Sequence, residues 1–213
     1  MTDIEEDREK LDKITAFSDG SCPRNGMPNA RAAFAAIVIG GQFNTTIVRG
    51  EVQPFKYAFI DNDRPEYGIQ PVKNNTIMPS NNRGELLGLI YTFLTLIHGN
   101  LSGSVEIWSD SQICIKTLLQ WLPTRLAKGT ERELKNYDLV EIAWKLLEKL
   151  RIQADKVVIT HVRSHQKPPP KTSPDRFIWD GNNLADQQAG IACSDEIPNY
   201  KIHVISDLDI LIS

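Results

Sequence analysis

Residues 32–39 (Ala-Ala-Phe-Ala-Ala-Ile-Val-Ile) carry no polar side chain and run straight into Gly40-Gly41. An apolar run this short, bounded by turn residues, is a buried strand. Gly-Gly suits a tight hairpin turn, so the loosely alternating residues 43–51 pair with it as an antiparallel strand. Residues 14–18 form a strand before them. The period then changes. Asn81–His98 places Leu86, Ile90, Phe93 and Ile97 at i, i+4, i+7 and i+11, the stripe of a buried helix face. Ser80 or Asn81 can cap its start and Gly99-Asn100 ends it. Ser104–Ser109 is a fourth strand, and residues 112–122 are a helix stopped by Pro123. Residues 137–151 form a helix with Val140, Trp144, Leu147 and Leu150 on one face. Lys156–His161 is a β-branched fifth strand, 163–179 a proline-rich loop, 182–193 a short helix, and 203–205 a candidate strand in the tail. Three antiparallel strands followed by helix–strand alternation predict an α/β protein with a five-stranded mixed sheet flanked by helices.

A chain of 213 residues, 41% hydrophobic and 24% charged, can build one ordinary core. It has no run approaching ~18 apolar residues, so no membrane span is expected. The acidic start has no apolar segment behind it and does not read as a secretory signal. Cys22, Cys114 and Cys193 form neither a zinc pattern nor a disulfide framework. The expectation is a protein of a reducing compartment, cytoplasm or nucleus, and not a secreted one. Net charge is −3, but residues 1–13 carry six acids against three bases and residues 195–213 four acids against one. The body between is therefore mildly basic, as a working face for an anionic partner requires.

Four carboxylates recur in one context. Asp19 closes the alternating run Thr15-Ala-Phe-Ser-Asp-Gly-Ser-Cys22; taken alone it is a turn residue, since Asp-Gly-Ser is good turn chemistry. Glu85 lies near the start of the first helix, where a capping or dipole-favoured acid is the simplest reading. Asp110 follows the fourth strand and can be an N-cap. Asp186 lies one turn into the last helix and can be an exposed helix residue. Each simple reading explains one acid and none explains the set. Strand ends and helix starts at one edge of a mixed sheet converge, so the four would share a cluster. Clustered carboxylates repel unless a divalent cation joins them, and an all-oxygen set favours Mg2+ or Mn2+ over Zn2+.

The segments Ser18-Asp-Gly-Ser-Cys, Ser80-Asn-Asn-Arg-Gly-Glu-Leu, Trp108-Ser-Asp-Ser-Gln, His161-Val-Arg-Ser-His and Gly181-Asn-Asn-Leu-Ala-Asp resemble, in order, those of type 1 ribonuclease H. The resemblance covers about residues 14–192. It implies an endoribonuclease that cuts the RNA strand of RNA–DNA hybrids with two Mg2+ ions, leaving 3′-hydroxyl and 5′-phosphate ends. By resemblance Asp19, Glu85, Asp110 and Asp186 hold the metals and His165 is the mobile-loop histidine that assists proton transfer and product release. Ser21, Asn25, Asn81, Asn82 and Gln112 match contacts to the RNA strand, whose 2′-hydroxyl calls for groups that donate and accept. Ser80 and Asn136 match positions that hold a DNA-strand phosphate. His161, on a strand, is expected to be structural. The implied organisation is an acidic extension (1–13), a catalytic domain (14–193) and a C-terminal extension (194–213). A monomer acting on a hybrid duplex, away from membranes, is expected.

Three departures from the family pattern stand out. Residues 121–136 replace the family's basic handle, keeping Trp121, Arg125, Lys128, Arg132 and Lys135 but diluting them with Glu131 and Glu133, so weaker substrate binding is expected. Residues 53–79 are an insertion that reads as irregular, in which Asp61, Asp63 and Glu66 read as a solvated loop more readily than as a cation site. It ends in Pro-x-Asn-Asn-Arg-Gly-Glu-Leu, as in versions from large DNA viruses. The loop after His165 is long, and its Arg163, Lys167, Lys171 and Arg176 can restore some handle charge. Two other readings stay open: a DNA-structure nuclease of the same fold, which the amides for a 2′-hydroxyl disfavour, and a silent hybrid-binding module, which has no use for clustered acids beside phosphates.

Overall fold

The computed structural model describes residues 13–59, 69–194 and 200–206. Asp61, Asp63, Glu66 and most of both terminal extensions lie outside them. The main sheet has six strands: β1 (Ile14–Ser21), β2 (Ala33–Ile39), β3 (Thr45–Glu51), β6 (Ser104–Ser109), β7 (Lys156–His161) and β8 (His203–Ser206). Their spatial order is β7-β6-β1-β2-β3-β8. β1, β2 and β3 form an antiparallel meander, and β6 and β7 add in parallel beyond β1. The tail supplies the sixth strand, with β8 antiparallel to β3 and His203 opposite Arg49. The sheet is mixed and helix-flanked as predicted, with one strand more than five.

The described part of the insertion is not irregular. Residues Phe55–Phe59 (β4) and Ile69–Thr76 (β5) pair as an antiparallel hairpin with a bulge between Phe55 and Lys56. Tyr57 and Ile69 are buried in the main core. Four prolines had masked the strand signal, and Pro71 sits opposite Tyr57 in a two-stranded ribbon, where edges tolerate a missing N–H.

Helix α1 (Asn81–His98) is buried almost all round, because the sheet covers one side and α4 (Tyr137–Gln153) the other. α2 (Gln112–Lys116) does not stop at Pro123. It passes through a π-helical turn (Thr117–Trp121) into α3 (Leu122–Leu126), with Pro123 in the first turn of α3, where a missing N–H costs little. α5 (Asp175–Ser194) starts seven residues before the expected point and so takes up the end of the proline-rich loop. It lies on the other face of the sheet, where Phe17, Ile37, Ile47, Leu184 and Ala185 form a smaller core. Among the described residues, no helix is long and apolar enough to cross a membrane.

Candidate active site

The site forms where β1 and β6 end side by side. Their parallel register pairs Ser18 with Ser109, so Asp19 and Asp110 follow at adjacent strand ends. α1 then lies directly on the β1 backbone. A Cβ on Gly20 would sit 2.3 Å from the Glu85 nitrogen, one on Gly84 2.5 Å from the Ala33 carbonyl oxygen, and one on Gly88 3.0 Å from the Asp19 carbonyl oxygen. Only glycines allow this approach, and it sets Glu85 against Asp19. One carboxylate oxygen from each of Asp19, Glu85 and Asp110 lies within 4.8 Å of the others.

The local chemistry leaves these acids for the cluster. Ser111, not Asp110, caps α2 by accepting from the Cys114 N–H at 3.4 Å. Glu85 lies one residue beyond the first turn of α1, and its Oε1 accepts from Asn81 Nδ2 at 3.3 Å. Asp19 Oδ1 accepts from the Gly20 N–H at 2.7 Å. Among the described residues, Glu85 Oε2 and Asp110 Oδ1 are buried without a hydrogen-bond partner. Burial, then the charges of Asp110 and Asp186, push the Asp19 carboxyl up to about 8. Burial, then the charges of Asp19 and Asp110, hold Glu85 well above the usual carboxylate range. Unpartnered hard oxygens that repel one another fit a divalent cation.

Asp186 stands apart from this trio. It is exposed, mid-way along α5 and not one turn in, yet close enough that its charge acts on Asp19. It lines a cavity of about 140 Å3 together with exposed His165, Trp179 and Asn182. His165 is left-handed at φ 55°, a conformation that His tolerates better than most residues. The loop behind it is anchored to α5: the Trp179 indole donates to the Gln166 carbonyl at 3.0 Å and Arg176 Nη1 to the Pro169 carbonyl at 3.1 Å. Arg176 belongs to that helix, pairs with Asp180 at 2.9 Å and stacks on Trp179, so it is not a spare loop charge. His161 is exposed at the end of β7, and its Nε2 contacts the Asp110 carbonyl oxygen at 3.1 Å.

The residues matched to the RNA strand gather beside the acids. Asn25 Oδ1 accepts from the Asn81 N–H at 3.2 Å, which leaves Asn25 Nδ2 to donate outward. Asn81 gives its Nδ2 to Glu85, which leaves its Oδ1 to accept. Ser21 and Asn82 are half-buried near them and Gln112 is exposed at the start of α2. Ser80 is the N-cap residue of α1 and makes no side-chain cap bond. Asn136, left-handed at φ 59°, accepts from Arg83 Nη1 at 3.4 Å.

Sequence reasoning missed two residues. Asn182 is buried one turn before Asp186, and its Oδ1 has no partner among the described residues; its i−4 spacing from Asp186 was the available signal. Arg83 is fully buried and pairs with Asp138 through two bonds of 2.8 and 3.0 Å. A charged residue inside the first turn of an apolar helix was the clue. Arg83 also donates to the Phe55 carbonyl at 3.0 Å and lies over the Tyr57 ring at 5.6 Å, so it ties α1, α4 and the inserted hairpin together.

The sequence profile of the RNase H family matches residues 12–194. This chain belongs to the RNase H family. No curated protein matches it in sequence. Among solved structures it is similar to LC9-RNase H1, described as a type 1 RNase H with the type 2 active-site motif. The two share 17% identity with a TM-score of 0.58 over 92% of this chain and 78% of that one. It is also similar to the protease-reverse transcriptase of prototype foamy virus (16% identity, TM-score 0.57, 86% of this chain and 21% of that). The RNase H domain from the same virus aligns at 16% identity and a TM-score of 0.52, over 84% of this chain and 93% of that domain. At these identities the likeness is one of fold. The RNase H family is one of nucleases that generally use divalent metals, and three acids of this chain cluster at its sheet edge.

Proposed function

We propose that this RNase H chain is an endoribonuclease that hydrolyses the RNA strand of RNA–DNA hybrids and leaves 3′-hydroxyl and 5′-phosphate ends. The observation that carries the reading is the meeting of Asp19, Glu85 and Asp110, from three separate elements, within 4.8 Å. Two buried unpartnered oxygens in that group support it. Asp19, Glu85 and Asp110 would hold Mg2+, with Asp186 closing the set at the mouth; Mn2+ suits the same oxygens. A pair of such ions supplies a nucleophile at neutral pH and charge stabilisation for displacement at phosphorus. His165, exposed in the cavity beside Asp186, is suited to hand a proton to the departing 3′-oxygen and to assist release of the product.

Substrate choice rests on the amides. Asn25 offers a donor and Asn81 an acceptor, and with Asn82, Gln112 and Ser21 they suit a strand bearing 2′-hydroxyls in a wide minor groove. A solved relative in fold is the foamy viral protease-reverse transcriptase in complex with an RNA/DNA hybrid (17% identity, TM-score 0.52). The test is incubation with matched RNA–DNA, RNA–RNA and DNA–DNA duplexes in Mg2+ and in EDTA. The expected result is Mg2+-dependent cleavage of the RNA strand of the hybrid alone. Cleavage of the DNA duplex in its place overturns the reading.

A further inference from the structure

Asn182 lines the cavity that Asp186 and His165 share, yet nothing there binds it. The residue is 6% exposed, and its Oδ1 is buried without a partner among the described residues. A buried amide left unpaired is costly, so it calls for a donor that arrives from elsewhere. Its place in the fold is fixed. α5 lies so close to β1 that a Cβ on Gly181 would run into the Phe17 ring, and Leu184 and Ala185 are buried in the core beneath.

The loop opposite supplies the donor. Trp179, Asn182 and Asp186 stand at i, i+3 and i+7, on one stripe of α5. The Trp179 indole holds the Gln166 carbonyl at 3.0 Å, which sets the neighbouring His165 over the next turn, with Asn182 and Asp186. Two other groups of this cavity are spent. The Gln166 amide donates to the Ser164 carbonyl at 3.3 Å, and the indole is taken by Gln166. The His165 side chain is exposed, and the cavity of about 140 Å3 has room for its ring. Exposed side chains change rotamer within nanoseconds, so the ring can turn inward without the loop moving.

We propose that Asn182 is a positioning residue: its amide oxygen accepts the N–H of one His165 ring nitrogen when the imidazole turns into the cavity, and so aims the other nitrogen at the departing 3′-oxygen. The inference rests on the hybrid-cleaving reading. The protons balance. A protonated imidazole carries an N–H on both nitrogens; it gives one to the 3′-oxygen and keeps the other on Asn182, ending as the neutral ring. The bond made by one nitrogen decides which one keeps its proton. An amide oxygen suits this step better than a carboxylate, which would hold the ring in its charged form. Among the described residues no hydrogen bond opposes the half-turn about χ2 that brings Oδ1 to face the cavity.

The test pairs Asn182→Leu, close in shape but unable to accept, with Asn182→Asp, which only accepts. Asn182→Leu in the full chain should melt no lower than the parent, because it removes an unpaired buried amide. Its kcat on the hybrid in Mg2+ should fall about tenfold with KM within about twofold, a share of the roughly 100- to 10,000-fold that a positioned proton donor supplies. In a His165→Ala background the same change should have no further effect. The spectroscopic sign is the His165 ring. In hybrid complexes of Asp110→Asn protein at alkaline pH, its nitrogen-15 shifts should show one tautomer with Asn182 or Asn182→Asp and a mixture with Asn182→Leu. A tautomer that does not respond overturns the proposal, and is the result expected if Arg163 is the donor. An equal loss of kcat without His165, or a melting temperature well below the parent, overturns it as well. So does a smaller rise in melting temperature with Mg2+, since the oxygen would then serve the cation. If the unmutated enzyme cleaves no hybrid in Mg2+, the cleavage reading fails, while the tautomer still reports on the bond from His165 to Asn182.

Discussion

Replacing Asp138 with alanine should be among the most damaging single changes outside the carboxylate cluster. The Arg83 side chain is 0% exposed and its two Asp138 bonds are 2.8 and 3.0 Å long. With the carboxylate gone, the guanidinium keeps, among the described residues, the Phe55 carbonyl at 3.0 Å, a weak contact to Asn136 at 3.4 Å and the Tyr57 ring at 5.6 Å, none of them an anion. A buried charge left without its partner costs about 3–5 kcal/mol. For a chain of this size ~1 kcal/mol moves the melting temperature by about 2–4 °C. The Asp138→Ala variant should therefore melt roughly 6–20 °C below the parent at neutral pH. The deficit should shrink in acid. Burial is the largest single influence on Asp138 and works upward, but the bonds and charge of Arg83, with N–H donors from Tyr57 and Leu139, outweigh it and hold the carboxyl below its usual value. A lowered pKa contributes stability above the unfolded value that is lost as pH falls through the folded one. Below that window parent and variant should converge. The apolar pair Arg83→Met with Asp138→Leu should recover most of the melting temperature, because it leaves no charge unpaired, while hybrid binding stays weak for want of an oriented Asn136. Melting within about 2 °C of the parent for Asp138→Ala would refute the claim that this pair is buried and dominant.

Gly20→Ala sets a Cβ 2.3 Å from the Glu85 nitrogen, so it should lower both melting temperature and Mg2+-dependent cleavage. Retained cleavage would mean that α1 can lift without moving the acids. In EDTA, the melting temperature should fall as pH rises from about 4 towards 8. The folded protein keeps a proton on Asp19, whose carboxyl is pushed up to about 8, that the unfolded chain has already released. Mg2+ should raise the melting temperature more at pH 8 than at pH 5, and an equal effect at both would count against the cluster as the binding site. Asp19→Asn should remove part of that repulsion, melting higher than the parent in EDTA while losing cleavage. Trp179→Phe removes the indole donor to Gln166, and hydrogen exchange should quicken across residues 163–174 without a change in the rest of the sheet.

The meander, the two long helices Asn81–His98 and Tyr137–Gln153, and the meeting of Asp19, Glu85 and Asp110 were legible because each rests on a local signal: period, a turn, or an acid where none is expected. What was not legible depended on partners distant in the chain. The hairpin at Phe55–Phe59 reads as irregular because its prolines break the pattern, and its order comes from Arg83, Asp138 and the core around Tyr57. Pro123 stops a helix in isolation, but a π-helical turn before it absorbs the mismatch. Asp186 shared its simple reading with any exposed helix residue, and the structure keeps it exposed and outside the trio. Whether an amide such as Asn25 faces outward with a donor or an acceptor is set by Asn81, which sequence distance hides.

The contact of Gly20 with Gly84, and of Gly88 with the Asp19 backbone, has a mechanical side. α1 has 18 residues, about 27 Å at helical rise, and this contact lies in its first half. Backbone against backbone is a hard stop, whereas side chains deeper in the core can repack. The contact therefore acts as a fulcrum. A volume change under Phe93 or Ile97 swings the far end of the helix most and Glu85 least, since Glu85 sits at the pivot. Drift in the core of such a chain is absorbed as tilt, while the spacing between Asp19 and Glu85 is held by atoms that no side-chain substitution removes.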